Sequence, residues 1–336
     1  MKKEISFKVE FPEIFALAIN EKDEQHGKYS IDGSTICLDG YVPQGDRTFL
    51  SFYITEIAGI DRYIKDGSIN VNETVKYKVD YKAGGNVTLT KDVEIADSPY
   101  WSLFILNCDR VWIDGCYVHT RRKDYHTFNG DGIDIDRCRY VTISNCRIDT
   151  SDDCITLRAS AAHKLANPQD CEWVTVTNCN LSSSCNAIRL GVGEGNIHDA
   201  VFSNLTISDT KQAFNIVAAY VRGNRGTDIY GIRFNNIRVQ ANELVRIHHM
   251  HSPAAMIKDI VFDGISGSVK YTSKLWAKQA APFTDIVFRN VDVETEVECV
   301  NAKIKIEGGL IAKKKLSSKE LKQRIENIEA NKKLLH

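Results

Sequence analysis

Three aspartates have the type and spacing needed for acid–base chemistry. Asp131 stands alone in "NGDGIDI", and the adjacent pair Asp152 and Asp153 follows it by 21 and 22 residues in "DTSDDCITL". Each setting leads into alternating apolar residues, which predict a strand rather than a helix. If the two strands lie side by side, the three carboxylates repel one another. At least one of them then has a raised pKa and holds a proton near neutral pH.

Such a group of carboxylates has three alternative uses. One protonated and one ionised carboxyl group are what hydrolysis of a glycosidic bond requires. Clustered carboxylates also bind calcium. Aspartate is equally common in turns between strands, which is the role we expect for Asp109, Asp114, Asp136 and Asp149.

A repeated segment predicts the elements that hold these aspartates. The stretches "CDRVWIDGCYV", "CRYVTISNCRI" and "CEWVTVTNCNL" share one pattern, and four further copies begin at residues 197, 229, 257 and 283. The equivalent residues recur at intervals of 33, 26, 32, 27 and 27; they are Asn145, Asn178, Asn204, Asn236, Asp263 and Asn290. Shorter strand-like pieces such as "GIDID" and "AIRLGVG" lie between the copies.

This period and the lack of helical periodicity favour a parallel β-helix, whose coils stack about 4.8 Å apart. The blades of a β-propeller need about 40 or more residues, so the period disfavours that fold. An Asn at the same turn of each coil can form a hydrogen-bonded ladder. The two strands that follow Asp131 and Asp153 would then be lateral neighbours.

We therefore predict an all-β fold, a single-stranded right-handed parallel β-helix (solenoid) with a short C-terminal helix. Residues 1–95 form an irregular N-terminal cap and the first coils, residues 96–310 form the β-helix with the catalytic region, and residues 316–336 form the helix. All three belong to one structural domain. Ser317 and Glu320 predict a capping box, and Leu316 and Leu321 a hydrophobic staple. Leu321, Ile325, Ile328 and Leu335 form an apolar stripe that either caps the coil stack or meets a partner helix in an oligomer.

Composition limits the partners. The 336 residues include 43 basic and 44 acidic side chains, for a net charge of -1, so no overall field attracts nucleic acid or an anionic membrane. No run approaches the roughly 18 apolar residues of a membrane helix. The N-terminus has no signal-peptide pattern, which predicts a cytoplasmic protein, or a secreted or periplasmic one if a signal has been removed.

Ten cysteines are too few for a disulfide scaffold. Three pairs share a spacing of eight residues, namely Cys108/Cys116, Cys138/Cys146 and Cys171/Cys179. No pair has C-x-x-C spacing, so we expect small buried thiols rather than a zinc site.

Residues 98 to about 250 resemble glycoside hydrolase family 28, the polygalacturonase and rhamnogalacturonase-like family. Three motifs of that family appear as Asn129-Gly130-Asp131, Asp152-Asp153-Cys154 and Arg246-Ile247-His248. The resemblance implies an inverting glycoside hydrolase that cleaves a pectin-type polysaccharide or oligosaccharide without a cofactor or metal. It assigns the general acid to Asp152 and activation of water to Asp131 and Asp153. Arg246 would contact the sugar, and Asn129 would orient Asp131 or stabilise its turn.

Two positions depart from the family pattern. The family's G-H-G motif aligns with Cys185-Asn186-Ala187, so Asn186 replaces a histidine, and His248 replaces the lysine of R-I-K. Loss of that positive charge makes a neutral or differently substituted sugar plausible, such as rhamnose in rhamnogalacturonan. We expect Asn186 and His248 to bind substrate. Arg158 and Arg189 either supply the missing charge or are surface arginines.

Other interpretations stay open on sequence alone. His248, His249 and His251 are close in sequence but have no carboxylate at ligand spacing, which disfavours a metal centre. A β-helix lyase or epimerase would use calcium and an Arg or Lys base. A non-catalytic carbohydrate-binding or structural β-helix is the second rival, favoured by the changes at 186 and 248.

Overall fold

The computed structural model describes residues 93–96, 101–121, 129–160, 168–219 and 225–330, and the backbone of six strands nearer the N-terminus. The rest of the predicted N-terminal cap lies outside the described residues, as does Leu335. The first strands are β1 Ile5–Glu10, β2 Ala16–Ile19, β3 Lys28–Asp32, β4 Thr35–Tyr41, β5 Leu50–Ile54, β6 Val87–Thr90 and β7 Glu94–Ala96.

The described chain is a parallel β-solenoid of about 6 turns. Its middle strands are β8 Leu103–Leu106, β9 Asp109–Asp114, β10 Tyr117–His119, β11 Ile133–Asp136, β12 Arg139–Ser144, β13 Arg147–Thr150, β14 Ile155–Ala159, β15 Cys171–Thr177, β16 Asn180–Ser183 and β17 Asn186–Gly193. The last elements are β18 Asn196–Ala219, β19 Asp228–Met250, β20 Lys258–Tyr271, β21 Ser273–Trp276, β22 Phe283–Val293, β23 Glu296–Val300, β24 Ala302–Gly309, β25 Ala312–Lys313 and helix α1 Ser318–Glu329.

Strands of neighbouring coils pair in parallel and form three sheets. Sheet A contains β5, β8, β11, β14, β17, the ends of β18 and β19, then β21, β23 and β25. Sheet B contains β6, β9, β12, β15, the starts of β18, β19, β20 and β22, and β24. Sheet C joins β7, β10, β13 and β16 to the later parts of β18, β19 and β20. The predicted β-helix is confirmed, whereas the short strands of sheet C were not separated in the sequence.

Apolar side chains from all three sheets fill the interior of the coil stack. Four phenylalanines of sheet B lie at equivalent positions, so their rings stack along the solenoid axis. The ring centroids are 5.0 Å apart for Phe202 and Phe234, 4.8 Å for Phe234 and Phe262, and 5.0 Å for Phe262 and Phe288. This spacing equals that of paired strands, so each ring is in contact with the next coil.

The predicted Asn ladder lies at the turn after sheet B. Asn145, Asn178, Asn204, Asn236 and Asn290 all have left-handed backbone, with φ between 49° and 56°. Asn236 donates to Asn204 at 2.8 Å, and Asn178 to Asn145 at 3.4 Å. The prediction for Asp263 was wrong by one residue, because the lateral neighbour of Asn236 is Gly264. Gly264 has a left-handed φ of 62°, which glycine adopts without strain. Asp263 still accepts a hydrogen bond from Asn290 at 3.2 Å.

The paired cysteines lie in two rows, one on each side of sheet B. All six members of the three pairs are buried and carry free thiols. Their positions confirm that they serve as small core side chains at equivalent coil positions.

Helix α1 begins at the predicted capping box, with Ser317 as N-cap and Glu320 closing the box. Its buried residue Ile328 packs on Trp276 and Val300, in a cluster separate from the main core. Leu321 is exposed, so the predicted stripe is wrong at that residue. The helix covers the ends of β21 and β23. No helix among the described residues is long and apolar enough to cross a membrane.

The phenylalanine stack gives a stability prediction. We expect Phe234→Ala to lower the free energy of unfolding by about 3–5 kcal/mol, because a fully buried ring leaves a cavity between two coils. Urea denaturation followed by circular dichroism measures the change. Tyr271→Ala, which removes an exposed ring, is the matched control and should change stability by less than about 0.5 kcal/mol. An equal effect of the two changes would contradict the packing role.

Candidate active site

The register of sheet A places a row of polar residues at the start of five consecutive strands. Gly132 N–H donates to Asp153 O at 2.8 Å, and Cys154 N–H donates to Asn186 O at 2.9 Å. These bonds set Asp131 beside Asp153, and Asp153 beside Asn186. The ladder continues through the pairs Asn186–Gln212 and Gln212–Glu243. Asp131, Asp153, Asn186, Gln212 and Glu243 form what we call the polar row, with one residue per coil.

Two glycines allow the first two coils to approach closely at this row. A Cβ on Gly130 would lie 2.3 Å from Ser151 Oγ, and one on Gly132 would lie 2.6 Å from Cys154 O. The hydroxyl of Thr120 further fixes this turn by donating to Gly130 O at 2.6 Å. The glycines of "NGDG" therefore hold Asp131 against the neighbouring coil.

Asp153 lies between two groups that stabilise its charge. Asn186 Nδ2 donates to one carboxylate oxygen at 2.5 Å, and Arg189 donates to the other at 3.2 Å. The pKa of Asp153 is raised by burial and by the charge of Asp152, although Arg189 and the Asn186 hydrogen bond lower it in part. The ionised form of Asp153 therefore has direct partners, as does that of Glu243.

The pKa of Asp131 is raised more strongly than that of Asp153. Asp131 is only 5% exposed. Burial raises its pKa well above the usual value, and the nearby Asp134 and Asp153 raise it further. The predicted repulsion among the carboxylates thus raises the pKa of Asp131, which favours its protonated form.

Asp152 is less buried than its two neighbours and faces the cleft beside Cys185. Donor atoms of Asp152, Asp153 and Cys185 lie within 4.8 Å of one another. Burial raises the pKa of the Cys185 thiol, followed by the charges of Asp153 and Asp152, so the thiolate form is disfavoured. Since the Asp153 carboxylate already has partners, this donor set does not suit a cation.

Asn186 links the acids to Arg246. Its side-chain oxygen accepts from Asn215 Nδ2 at 3.0 Å. In the amide orientation that satisfies its neighbours, Gln212 donates to Asn186 Oδ1 at 2.7 Å and accepts from Arg246 Nε at 3.0 Å. Arg246 also forms an ion pair with Glu243. Asn186 is only 2% exposed, so its contacts are mainly with other protein groups.

Arg158 lies at the other end of the cleft and is not a simple surface arginine. It forms an ion pair with Asp134 at 3.0 Å, and its guanidinium carbon lies 4.2 Å from the ring centroid of Trp101. Burial raises the pKa of Asp134 to about 7, against the lowering effect of Arg158. Arg158 and Arg189 are thus engaged by carboxylates of the protein.

The histidines after Arg246 have separate environments. His248 borders the cleft, and burial followed by the charges of Arg246 and Arg189 lowers its pKa to about 3. It is neutral at neutral pH. His249 bonds Ala255 O at 2.8 Å through one ring nitrogen and the Lys278 N–H at 3.0 Å through the other. No donor group of three among the described residues includes His248, His249 or His251.

These residues border a cleft of about 490 Å³ on sheet A. All nine predicted site residues lie around it: Asn129, Asp131, Asp152, Asp153, Arg158, Asn186, Arg189, Arg246 and His248. Asn129 is exposed and has left-handed backbone with φ 57°, consistent with a turn role. A second cavity of about 360 Å³ adjoins the cleft at Lys211 and is also bordered by Arg121 and Lys270.

Comparisons with known proteins bear on the family and the fold. The model of the glycosyl hydrolases family 28 matches residues 66–309, more than half of the chain. The chain belongs to this family. No curated protein sequence matches it.

Two solved family-28 structures give the extent of the likeness. A hyperthermoactive exopolygalacturonase from Thermotoga maritima has 18% identity and a TM-score of 0.56, covering 66% of this chain and 51% of that one. A family 28 exopolygalacturonase from Yersinia enterocolitica has 16% identity and a TM-score of 0.42, covering 66% and 44%. The chain spans about half the length of these proteins, and the first likeness shows the shared fold.

Several residues of this family-28 cleft were not predicted from sequence. Gln212, Asn215 and Glu243 connect the acids to Arg246, whereas Trp101 and Asp134 hold Arg158. The strand-like pieces "AFNIVAA" and "LVRIHH" were the sequence signals that could have located Gln212, Asn215 and Glu243. Pairing those strands in the register of Asp131 and Asp153 would have found Gln212 and Glu243.

The partners of Asp153 predict a pH effect. Arg189→Gln removes a cation that lowers the pKa of Asp153, so that pKa should rise. If Asp153 is the base, the acidic limb of the kcat/KM profile should move to higher pH, because the ionised form is then lost at higher pH. Arg189→Lys retains the charge and should leave most of the limb in place. An unchanged limb in Arg189→Gln would contradict the role of Asp153.

Proposed function

We propose that this family-28 protein is an inverting glycoside hydrolase that cleaves a pectin-type polysaccharide or oligosaccharide. The observation that carries the proposal is the placement of Asp153, whose carboxylate contacts Arg189 and Asn186, beside the more accessible Asp152. A charged base and an acid at the cleft surface are the two groups that glycosidic hydrolysis requires.

The residues divide the proton transfers as follows. Asp152 donates a proton to the oxygen of the leaving sugar as the glycosidic bond breaks. Asp153 takes a proton from the water whose oxygen bonds to the anomeric carbon. Asp131, with its strongly raised pKa, stays protonated beside Asp153. This differs from the role implied by the resemblance, in which Asp131 and Asp153 both activate water.

The charges around the cleft favour a neutral sugar in the reacting subsite. Arg158, Arg189 and Arg246 are paired with Asp134, Asp153 and Glu243. His248 replaces the family's lysine and is neutral at neutral pH. The adjoining cavity with Lys211 and Lys270 is better suited to a carboxylate. A glycan that alternates neutral and acidic sugars, as in rhamnogalacturonan, fits both.

Product analysis tests the substrate. Homogalacturonan, rhamnogalacturonan and neutral glycans are incubated with the protein, and the fragments are separated by anion-exchange chromatography and mass spectrometry. We expect cleavage of rhamnogalacturonan to exceed cleavage of homogalacturonan. The reverse order would contradict the neutral subsite. An unsaturated product that absorbs in the ultraviolet would identify a lyase instead.

The role of Asp152 gives a second kinetic prediction. Asp152→Asn cannot donate the proton and should lower kcat by about 10²–10⁴, the usual contribution of a general acid. Asp285→Asn, at an exposed left-handed position on sheet B, is the matched control and should leave kcat unchanged. Unaltered thermal unfolding would show that Asp152→Asn is folded. Full activity in this variant would remove Asp152 from the mechanism.

Stereochemistry provides an independent check. We expect the first-formed sugar to have inverted anomeric configuration, which proton NMR records before mutarotation. The expected inversion follows the family resemblance and runs against the separation of the two carboxyl groups, since oxygens of Asp152 and Asp153 lie within 4.8 Å. Carboxyl groups about 5–5.5 Å apart are typical of retaining enzymes, and about 6.5–9.5 Å of inverting ones. Retention would make Asp153 a nucleophile that forms a covalent glycosyl intermediate.

A further inference from the structure

Sheet B has a left-handed residue at the same position of seven consecutive strands. This residue is the second to fourth of its strand and has φ between 51° and 68°. Strand pairing shows that these positions are lateral neighbours. In chain order they are Arg110, Tyr140, Trp173, Asp199, Gly231, Asp259 and Asp285.

Three consecutive strands, at Arg110, Tyr140 and Trp173, carry residues that this backbone does not favour. Glycine and aspartate adopt left-handed backbone at little cost, and they occupy four of the seven positions. Tyr140 and Trp173 have bulky side chains, for which φ values of 54° are uncommon. Their side chains do not gain burial in exchange, since Tyr140 is 54% and Trp173 53% exposed. The strained backbone therefore presents two aromatic rings to solvent.

A third exposed aromatic residue extends this surface. Trp112 is 50% exposed and lies beside Thr142 in the pairing of β9 with β12. Thr142 is two residues beyond Tyr140, so Trp112 and Tyr140 are diagonal neighbours about 8 Å apart, from a strand spacing of about 4.8 Å and a rise of about 3.3 Å per residue. We call Trp112, Tyr140 and Trp173 the aromatic row.

Polar side chains border the aromatic row. The Arg139 guanidinium carbon lies 5.9 Å from the Tyr140 ring centroid. In the strand register, Arg139 lies beside Glu172 of the next coil. His198 continues this border one coil further, where its ring stacks on Tyr230 at 4.8 Å. Apolar ring faces flanked by hydrogen-bonding groups match a sugar, which has an apolar face of C–H groups and a polar edge of hydroxyls.

We infer that the aromatic row binds an extended glycan chain, on a face of the solenoid separate from the cleft of sheet A. That the chain is the pectin-type substrate rests on the proposed function. The rings lie on three consecutive coils, so they suit a narrow linear ligand. Three half-exposed rings offer only about 300 Å² of apolar area, since a fully buried aromatic side chain covers about 150–250 Å². A stable protein interface needs about 800 Å² on each partner.

Affinity electrophoresis tests this inference. All proteins carry Asp152→Asn so that the polymer stays intact, and the native gel contains polymeric rhamnogalacturonan or homogalacturonan. Tyr140→Ala with Trp173→Ala should weaken retardation at least about fivefold, roughly 1 kcal/mol of binding free energy. Tyr271→Ala, which removes an exposed ring at the end of β20, is the control and should be retarded like the parent.

Two further measurements separate the outcomes. In the background with Asp152 intact, the double variant should hydrolyse short oligosaccharides at the parental rate. If it does and retardation is also parental, the inference fails while the proposed function stands. If no glycan is hydrolysed but retardation depends on Tyr140 and Trp173, the inference stands without that function. Sedimentation velocity that shows a dimer of the parent, lost in the double variant, would overturn the inference in favour of self-association.

Discussion

The hydrogen-bond register between neighbouring coils of sheet A is the constraint on which the site depends. Parallel strands lie about 4.8 Å apart, so the lateral neighbour of each side chain is fixed once the backbone pairs. The bonds from Gly132 to Asp153 and from Cys154 to Asn186 therefore bring Asp131 beside Asp153, 22 positions away, and Asp153 beside Asn186, 33 positions away. A slip of one residue would turn the row to the other face of the sheet. The neighbouring coil lies so close to Gly130 and Gly132 that a side chain at either position would clash with it.

Such a row concentrates like charges, and the protein offsets them in different ways. Asp131 and Asp153 are both buried beside other carboxylates, which raise the pKa of each. Asp153 also contacts Arg189 and the Asn186 amide, which lower its pKa in part, whereas the pKa of Asp131 lies well above the usual value. Further along the row, Glu243 pairs with Arg246 and Gln212 bridges Arg246 to Asn186. Asn186 suits this arrangement, since its amide donates to Asp153 and accepts from Asn215 at the same time.

The coil repeat and the acidic residues could be predicted because both leave a pattern in the chain itself. Alternating apolar residues and the recurrent Asn revealed the period, and Asp131 and Asp153 precede strands that align by eye. The partners of Arg158 and Arg189 could not be predicted in the same way. Each depends on which residue of another coil lies alongside, and the intervals between coils vary. The wrong assignment of the ladder position to Asp263 has the same origin. The turn requires left-handed backbone, which Gly264 adopts more easily than the acidic residue before it.

The same regularity also explains why unusual residues are informative in this fold. Equivalent positions on successive coils share backbone conformation and neighbours, so the fold alone would select similar residues at each of them. Asp199, Gly231, Asp259 and Asp285 follow that rule on sheet B. Arg110, Tyr140 and Trp173 do not, and the exposed rings of Tyr140 and Trp173 gain nothing from the core. In sheet A the polar row departs in a similar way, because amides and carboxylates lie at the start of strands whose other inward residues are apolar. In both cases successive coils offer equivalent backbone positions. A residue type that the fold does not require at such a position marks a surface with a further role.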